Sequence, residues 1–235
     1  MASLKNIKLL LKNCSSAEKA KTAQSFFKTG KGHYSEGDIF IGVTTPEIRK
    51  IIKEFIDVSL DELQELLSSK IHEERACALF ILVEKYKKSV HIDKNAIVEF
   101  YLKNTTHINN WDLVDISCYQ ILGSHFHGQD QSLFFKLAES SNMWERRIAI
   151  VSCLYSIRTH NYNDTAISIT KKLLGDKHDL IHKATGWVLR EVGKKDLGTL
   201  LAFLDLYAKT MPRTMLRYSI EKLPEEQRLF YLRLK

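Results

Sequence analysis

Amphipathic segments recur along this chain at a nearly constant interval, and that interval restricts its fold more than any single motif does. Glu74-Arg75-Ala76-Cys77-Ala78, Trp111-Asp112-Leu113-Val114-Asp115, Arg146-Arg147-Ile148-Ala149-Ile150, His182-Lys183-Ala184-Thr185-Gly186 and Pro212-Arg213-Thr214-Met215-Leu216 each open a helical pattern. Counted at Arg75, Asp112, Arg147, Lys183 and Arg213, the spacings are 37, 35, 36 and 30 residues. Such a period belongs to two-helix units stacked side by side, none of which can bury its apolar face alone. The punctuation of the chain agrees: 3 Pro and 10 Gly in 235 residues are too few turn signals for a many-stranded sandwich or barrel. With 44% hydrophobic and 27% charged residues, disorder and a disulfide-dependent mini-fold are excluded.

Neither the tetratricopeptide nor the ankyrin signature is present, so the units read as degenerate HEAT-like repeats. The expected fold is all-α, a right-handed solenoid of HEAT-like antiparallel helix pairs. It forms a single domain over 1–235, with the second helices lining a concave basic face. Helical spacing starts at Leu4, and Thr45-Pro46 gives a cap residue followed by proline at the first helical position. Further helices are expected at about 15–28, 60–68, 70–87, 94–104, 111–122, 130–139, 144–158, 162–174, 178–193, 196–208, 212–222 and 225–234. Gly30 to Val43 stands apart as a glycine-rich, aromatic segment too long for a simple turn.

Cys14, Cys77, Cys118 and Cys153 are widely spaced, without a C-x-x-C or paired histidines at metal spacing, and read as reduced, mostly core thiols of a cytoplasmic protein. Neither a metal nor an organic cofactor is expected. His125 and His127 read as surface or loop residues. The apolar group Ile7-Leu9-Leu10-Leu11 is broken by Lys8 and is too short for a signal peptide core or a spanning helix, so no membrane partner is expected. A net charge of +7 fits an acidic partner without specifying one.

At 100° per residue the apolar Ile181, Ala184, Val188 and Val192 cluster on one side of their helix, while Trp187 falls away from them beside Lys183 and Arg190. On 111–122 the same arithmetic groups Leu113, Val114, Ser117 and Ile121 and puts Trp111 and Asp115, four residues apart, on another side. Two helices thus turn an indole away from the core, and one sets a carboxylate beside it. Packing of both indoles against a neighbouring repeat, and pairing of Asp115 with Arg146, Arg147 or a helix end, fit this periodicity equally well. Arg147, on a helix apolar nearly all round, fits a structural ion pair as well as a ligand contact. Arg213 and Arg217 fit a solvated basic face.

The chain resembles the AlkD family of DNA alkylation repair enzymes, HEAT-like-repeat DNA glycosylases, over nearly its whole length. The resemblance rests on Gly32-His33-Tyr34-Ser35-Glu36-Gly37-Asp38-Ile39-Phe40-Ile41-Gly42-Val43 with Pro46 and Arg49, and on Asn110-Trp111-Asp112-Leu113-Val114-Asp115. Trp144-Glu145-Arg146-Arg147, Gly186-Trp187-Val188-Leu189-Arg190-Glu191 and Pro212-Arg213-Thr214-Met215-Leu216-Arg217-Tyr218 complete it. It implies that Asp115 is the catalytic aspartate, that Trp111 and Trp187 contact the sugar, and that Arg147 is the active-site arginine.

The implied activity is hydrolysis of the N-glycosidic bond of cationic N3- or N7-alkylated purines, such as 3-methyladenine and 7-methylguanine, in double-stranded DNA. The product is an abasic site, formed by a monofunctional glycosylase without base capture in a deep pocket. Tyr34, Lys183, Arg190, Arg213 and Arg217 are candidate DNA contacts, with Glu191 or Asp196 as a competing partner for Arg190. A monomer without an obligate protein partner is expected. The rival class is a non-catalytic HEAT-repeat scaffold that binds nucleic acid or protein.

Overall fold

The structure, a computed structural model, describes residues 2–234. Among them the regular structure is helical throughout, apart from an isolated bridge between Ile39 and Ile71. The chain divides into two compact units, residues 1–117 and 118–235.

The N-terminal unit holds α1 (Ala2–Asn13), α2 (Ala17–Phe26), α3 (Thr45–Ile51), α4 (Leu60–Leu67), α5 (His72–Lys88), α6 (His91–Lys103) and α7 (Trp111–Cys118), whose last residue crosses the division. α5 is its central element and packs against α1, α3, α4 and α6. The cap residue of α3 is Thr44, one position earlier than the sequence suggests, and Pro46 falls second in the helix. The Glu47 carboxylate reaches back to the Thr44 N–H and hydroxyl, both at 2.7 Å. Ser59 and Glu62 cap α4 reciprocally, so two orphan N–H groups find partners.

The C-terminal unit holds α8 (Ser132–Ala138), α9 (Met143–Ser152), α10 (Leu154–His160), α11 (Asp164–Leu173), α12 (Asp179–Lys195), α13 (Leu197–Tyr207), α14 (Arg213–Ser219) and α15 (Glu225–Arg233). Here α12 is central, packing against α9, α10, α11, α13 and α14. Gly186 lets α14 approach closely, since a Cβ there would lie 2.5 Å from the Met215 carbonyl oxygen and 2.6 Å from Tyr218 Cβ.

Two expected helices need correction. The one predicted over 144–158 is divided at Cys153 into α9 and α10, and the one over 111–122 stays α-helical only to Cys118, followed by a π turn at Tyr119–Gly123. At Gly123 the π turn presses so close to the α9–α10 junction that a Cβ would collide with the Ser152 carbonyl oxygen. Both irregularities sit at this one crowded contact, which helical periodicity does not register.

No described helix is long and apolar enough to cross a membrane. All four cysteines are free thiols, as expected. Burial pushes the Cys77 and Cys153 thiols up to about 12.

Candidate functional site

In the N-terminal unit the site begins with the four ionisable residues that open α5, His72-Glu73-Glu74-Arg75, all of them buried. Buried charges require partners, and the Gly30–Val43 segment supplies most of them. Glu73 accepts from the backbone N–H groups of Ile41, Gly42 and Val43, at 3.1, 2.7 and 3.3 Å. Gly42 sits in the left-handed region at φ +79°, against the backbone of Ser16 and Ala20, where only glycine fits.

Asp38 receives Arg75 Nη2 at 2.8 Å and lies 3.5 Å from His72 Nδ1. Burial raises the Asp38 carboxyl, yet His72 and Arg75 outweigh it and hold the group below its ordinary value. Burial likewise opposes a charged His72, but Asp112, 2.7 Å from Nε2, and then Asp38 overcome it and push the imidazole up to about 9. The raised imidazole of His72 thus sits between the carboxyl groups of Asp38 and Asp112.

This network reaches the start of α7 through Asn110, which is fully buried. Its Nδ2 donates to Ser35 Oγ at 2.5 Å, Ser35 Oγ donates to Asp38 at 3.0 Å, and its Oδ1 accepts the Trp111 backbone N–H at 2.8 Å. That last bond satisfies one of the orphan donors of a helix start. The Trp111 ring is stacked on Phe27, with centroids 5.3 Å apart and planes 19° apart, and meets the edge of Phe26 at 5.9 Å. Its Nε1–H donates to Tyr34 Oη at 3.2 Å. Phe27 continues the stack to Phe40, and Phe40 to His72.

Leu113, Val114 and Ser117 are 0% exposed, whereas Trp111 and Asp115 are half-buried. The core thus claims the side of α7 that the 100° arithmetic assigned to it and leaves the indole and carboxylate on the other. The sequence reading missed His72, Asp38, Asn110 and Phe27. The run His-Glu-Glu-Arg at the head of a helix otherwise apolar to Val83 was the available signal.

The N-terminal unit carries an open groove next to this network. It has a volume of about 520 Å³ and is lined among others by Phe26, Phe27, Phe40, Ile48, His72 and Asp112; neither Trp111 nor Asp115 lines it.

In the C-terminal unit α9 carries Arg147, buried at 5% exposure, whose Nη1 donates to the Leu180 carbonyl at 2.6 Å. Its neighbour Arg146 is bound to Asp176, with Nε 2.6 Å from Oδ2, and to the carbonyls of Ser140 and Ser141. On α12, Ile181, Ala184, Val188 and Val192 are buried and Trp187 is half-buried. The Arg158 guanidinium lies 5.5 Å from the centre of the Trp187 ring and pairs with Glu191 at 3.4 Å.

The candidate DNA contacts differ in what they already hold. Lys183 pairs with Asp179 at 2.8 Å, one turn away. Arg190 pairs with Glu221 and lies 3.9 Å from Glu191. Arg213 donates to the Leu232 and Leu234 carbonyls at 2.6 and 3.4 Å, capping the end of α15. Arg217 is exposed and has no ion pair among the described residues. His127 is stacked on His160 at 3.8 Å and bonded to Ser156 at 2.9 Å. Among the described residues no group of three His, Cys, Asp or Glu is placed to hold a metal ion.

Comparison with solved structures shows the same fold in several bacterial proteins. A "Predicted DNA alkylation repair enzyme from Enterococcus faecalis" aligns with a TM-score of 0.70 at 17% identity, covering 90% of this chain and 97% of that one. AlkD2 from Streptococcus mutans aligns at 0.57 and 16% identity over 95% and 99%. The smu.31 protein of Streptococcus mutans UA159 aligns at 0.55 and 17% over 92% and 96%. No curated protein matches the sequence. The family model described as "DNA alkylation repair enzyme" matches residues 7–223, so the chain belongs to that family.

Proposed function

We propose that this protein is a monofunctional DNA glycosylase that hydrolyses the N-glycosidic bond of cationic N3- or N7-alkylated purines in duplex DNA and leaves an abasic site. The observation that carries this reading is that Trp111 and Asp115, four residues apart on α7, are both half-buried while Leu113, Val114 and Ser117 of the same helix are fully buried. A scaffold has no need of an indole and a carboxylate one turn apart on the partly exposed side of a helix. Membership of the DNA alkylation repair family supports the same conclusion.

The chemistry follows from the lesion. An alkylated purine of this kind is already cationic, so when the bond from C1′ to its ring nitrogen breaks, the electron pair goes to the base and the base departs neutral. No general acid is needed. Positive charge instead grows on the deoxyribose, and the Asp115 carboxylate stabilises that charge more in the transition state than in the ground state. Water attacks C1′, and the proton it loses passes to Asp115 and then to solvent.

Trp111, half-buried on α7, offers a ring face of negative quadrupole that suits a sugar whose C–H groups become more positive. Arg147, buried and anchored on the Leu180 carbonyl, supplies a fixed cation for a phosphate. Because water is the nucleophile, no enzyme amine is required. Phosphate contacts bind the duplex, with Arg217 the candidate least engaged by the protein itself, alongside Lys183, Arg190, Arg213 and the Tyr34 loop.

Release of methylated base from alkylated duplex DNA tests the proposal. The native protein is expected to release it, and Asp115→Asn to bind the same duplex while releasing base about 10²–10³-fold more slowly. Binding without release by the native protein would instead establish the scaffold reading.

A further inference from the structure

The Gly30–Val43 segment is tied to the start of α7 by more contacts than a connecting loop requires, and they converge on one ring. The indole N–H of Trp111 donates to Tyr34. The backbone N–H of the same residue is held by Asn110, whose amide is fastened to Ser35, which in turn is fastened to Asp38. Asp38 is locked to Arg75 of α5 at 2.8 Å, and Asp112, the residue after Trp111, is locked to His72. Beneath the indole lies Phe27, nearly parallel.

We propose that this loop is a clamp that fixes the orientation of the Trp111 indole, with Tyr34 and Asn110 as positioning residues. This rests on the reading of Trp111 as a ligand-facing side chain. One face of the indole is covered by Phe27 and its only donor is committed to Tyr34. With that donor spent, what the ring has left to offer a ligand is its π-surface. Trp111 therefore meets its ligand through a π-face, suited to sugar C–H groups or to a cation, and not by hydrogen bonding to a phosphate or a base edge. Asp115 follows one turn later on the same helix, so the clamp that orients the ring also fixes the start of the helix that carries the carboxylate.

The clamp gives Tyr34 a role distinct from a DNA contact, and the Tyr34→Phe variant separates the two by removing only the hydroxyl. In protein labelled with nitrogen-15 in its indole groups, the Trp111 resonance is identified by its loss in Trp111→Phe. In Tyr34→Phe that resonance is expected to shift, and its N–H to exchange with water about tenfold faster. With alkylated duplex DNA, kcat is expected to fall roughly tenfold, while KM and the salt dependence of binding stay as in the native protein.

An unmoved indole resonance would overturn the clamp. So would an unchanged kcat with a weakened, less salt-dependent affinity, which would make Tyr34 a phosphate contact. If neither protein releases base, the glycosylase reading falls and the indole resonance still decides the clamp.

Discussion

Asp112 lies 2.7 Å from Nε2 of His72, and this contact ties the first turn of α7 to the first residue of α5. His72 also faces Asp38 and Arg75, with Phe27 and Phe40 against its ring. Its pKa is raised to about 9 in the folded chain, from an ordinary 6.5. The protonated form is therefore favoured by folding. That contribution is complete below about pH 6.5 and is lost as the pH rises through 9, whereas the share of Asp38, held low, is lost only on acidification. Urea unfolding at pH 6 and pH 9.5 should differ by roughly 2–3 kcal/mol, and His72→Gln should flatten most of that difference. An equally steep loss in the variant would assign the pH dependence to other groups.

Glu73 holds three consecutive backbone N–H groups of the loop. Truncation to alanine strands those donors inside the unit, and an unsatisfied buried donor costs about 1–3 kcal/mol. Water entering the vacated space offsets part of this. Glu73→Ala is expected to lose roughly 3 kcal/mol in thermal or urea unfolding, and native stability in that variant would show that the loop is held by its other contacts.

Gly186 poses two opposed effects at one position. Alanine improves helix propensity by about 1 kcal/mol, but its methyl would meet the Met215 carbonyl, which belongs to the backbone of α14 and cannot swing aside. Overpacking of this kind costs about 1–3 kcal/mol. Gly186→Ala should therefore lower the unfolding midpoint, and a rise would mean that α14 can withdraw from α12 at little expense.

Arg217 and Arg190 should separate in a salt titration of DNA binding. Arg217 holds no carboxylate among the described residues, while Arg190 is engaged by Glu221. Arg217→Ala is expected to weaken binding uniformly across sequences and to reduce the slope of log affinity against log salt by about 1. Arg190→Ala should change the slope less; the reverse ranking would put the duplex against α12 in preference to α14.

Features set by a single helix could be read from the sequence. The division of α7 into buried Leu113, Val114 and Ser117 and half-buried Trp111 and Asp115 needs only the rotation per residue, and the same holds for Trp187 on α12. What escaped depends on residues far apart in the chain. Ser35 and Asn110 are 75 positions apart, and nothing local in either predicts their bond. The partner of the Trp111 indole N–H was equally hidden, because Tyr34 lies in a loop without periodicity. The π turn ending at Gly123 and the division at Cys153 escaped for a third reason: they answer to one close backbone approach, and hydrophobic spacing carries no record of that.

The burial of the cysteines bears on chemical endurance. Methylating agents attack thiolate sulfur as well as nucleobases, and a thiol with a pKa of about 12 is ionised at neutral pH in only about one molecule in 10⁵. Cys77, Cys118 and Cys153 are also shut away from solvent, and Cys14 alone of the four is partly exposed. Cys77 and Cys153 therefore present almost no thiolate to an electrophile, and Cys14 is the sulfur such a reagent would meet first.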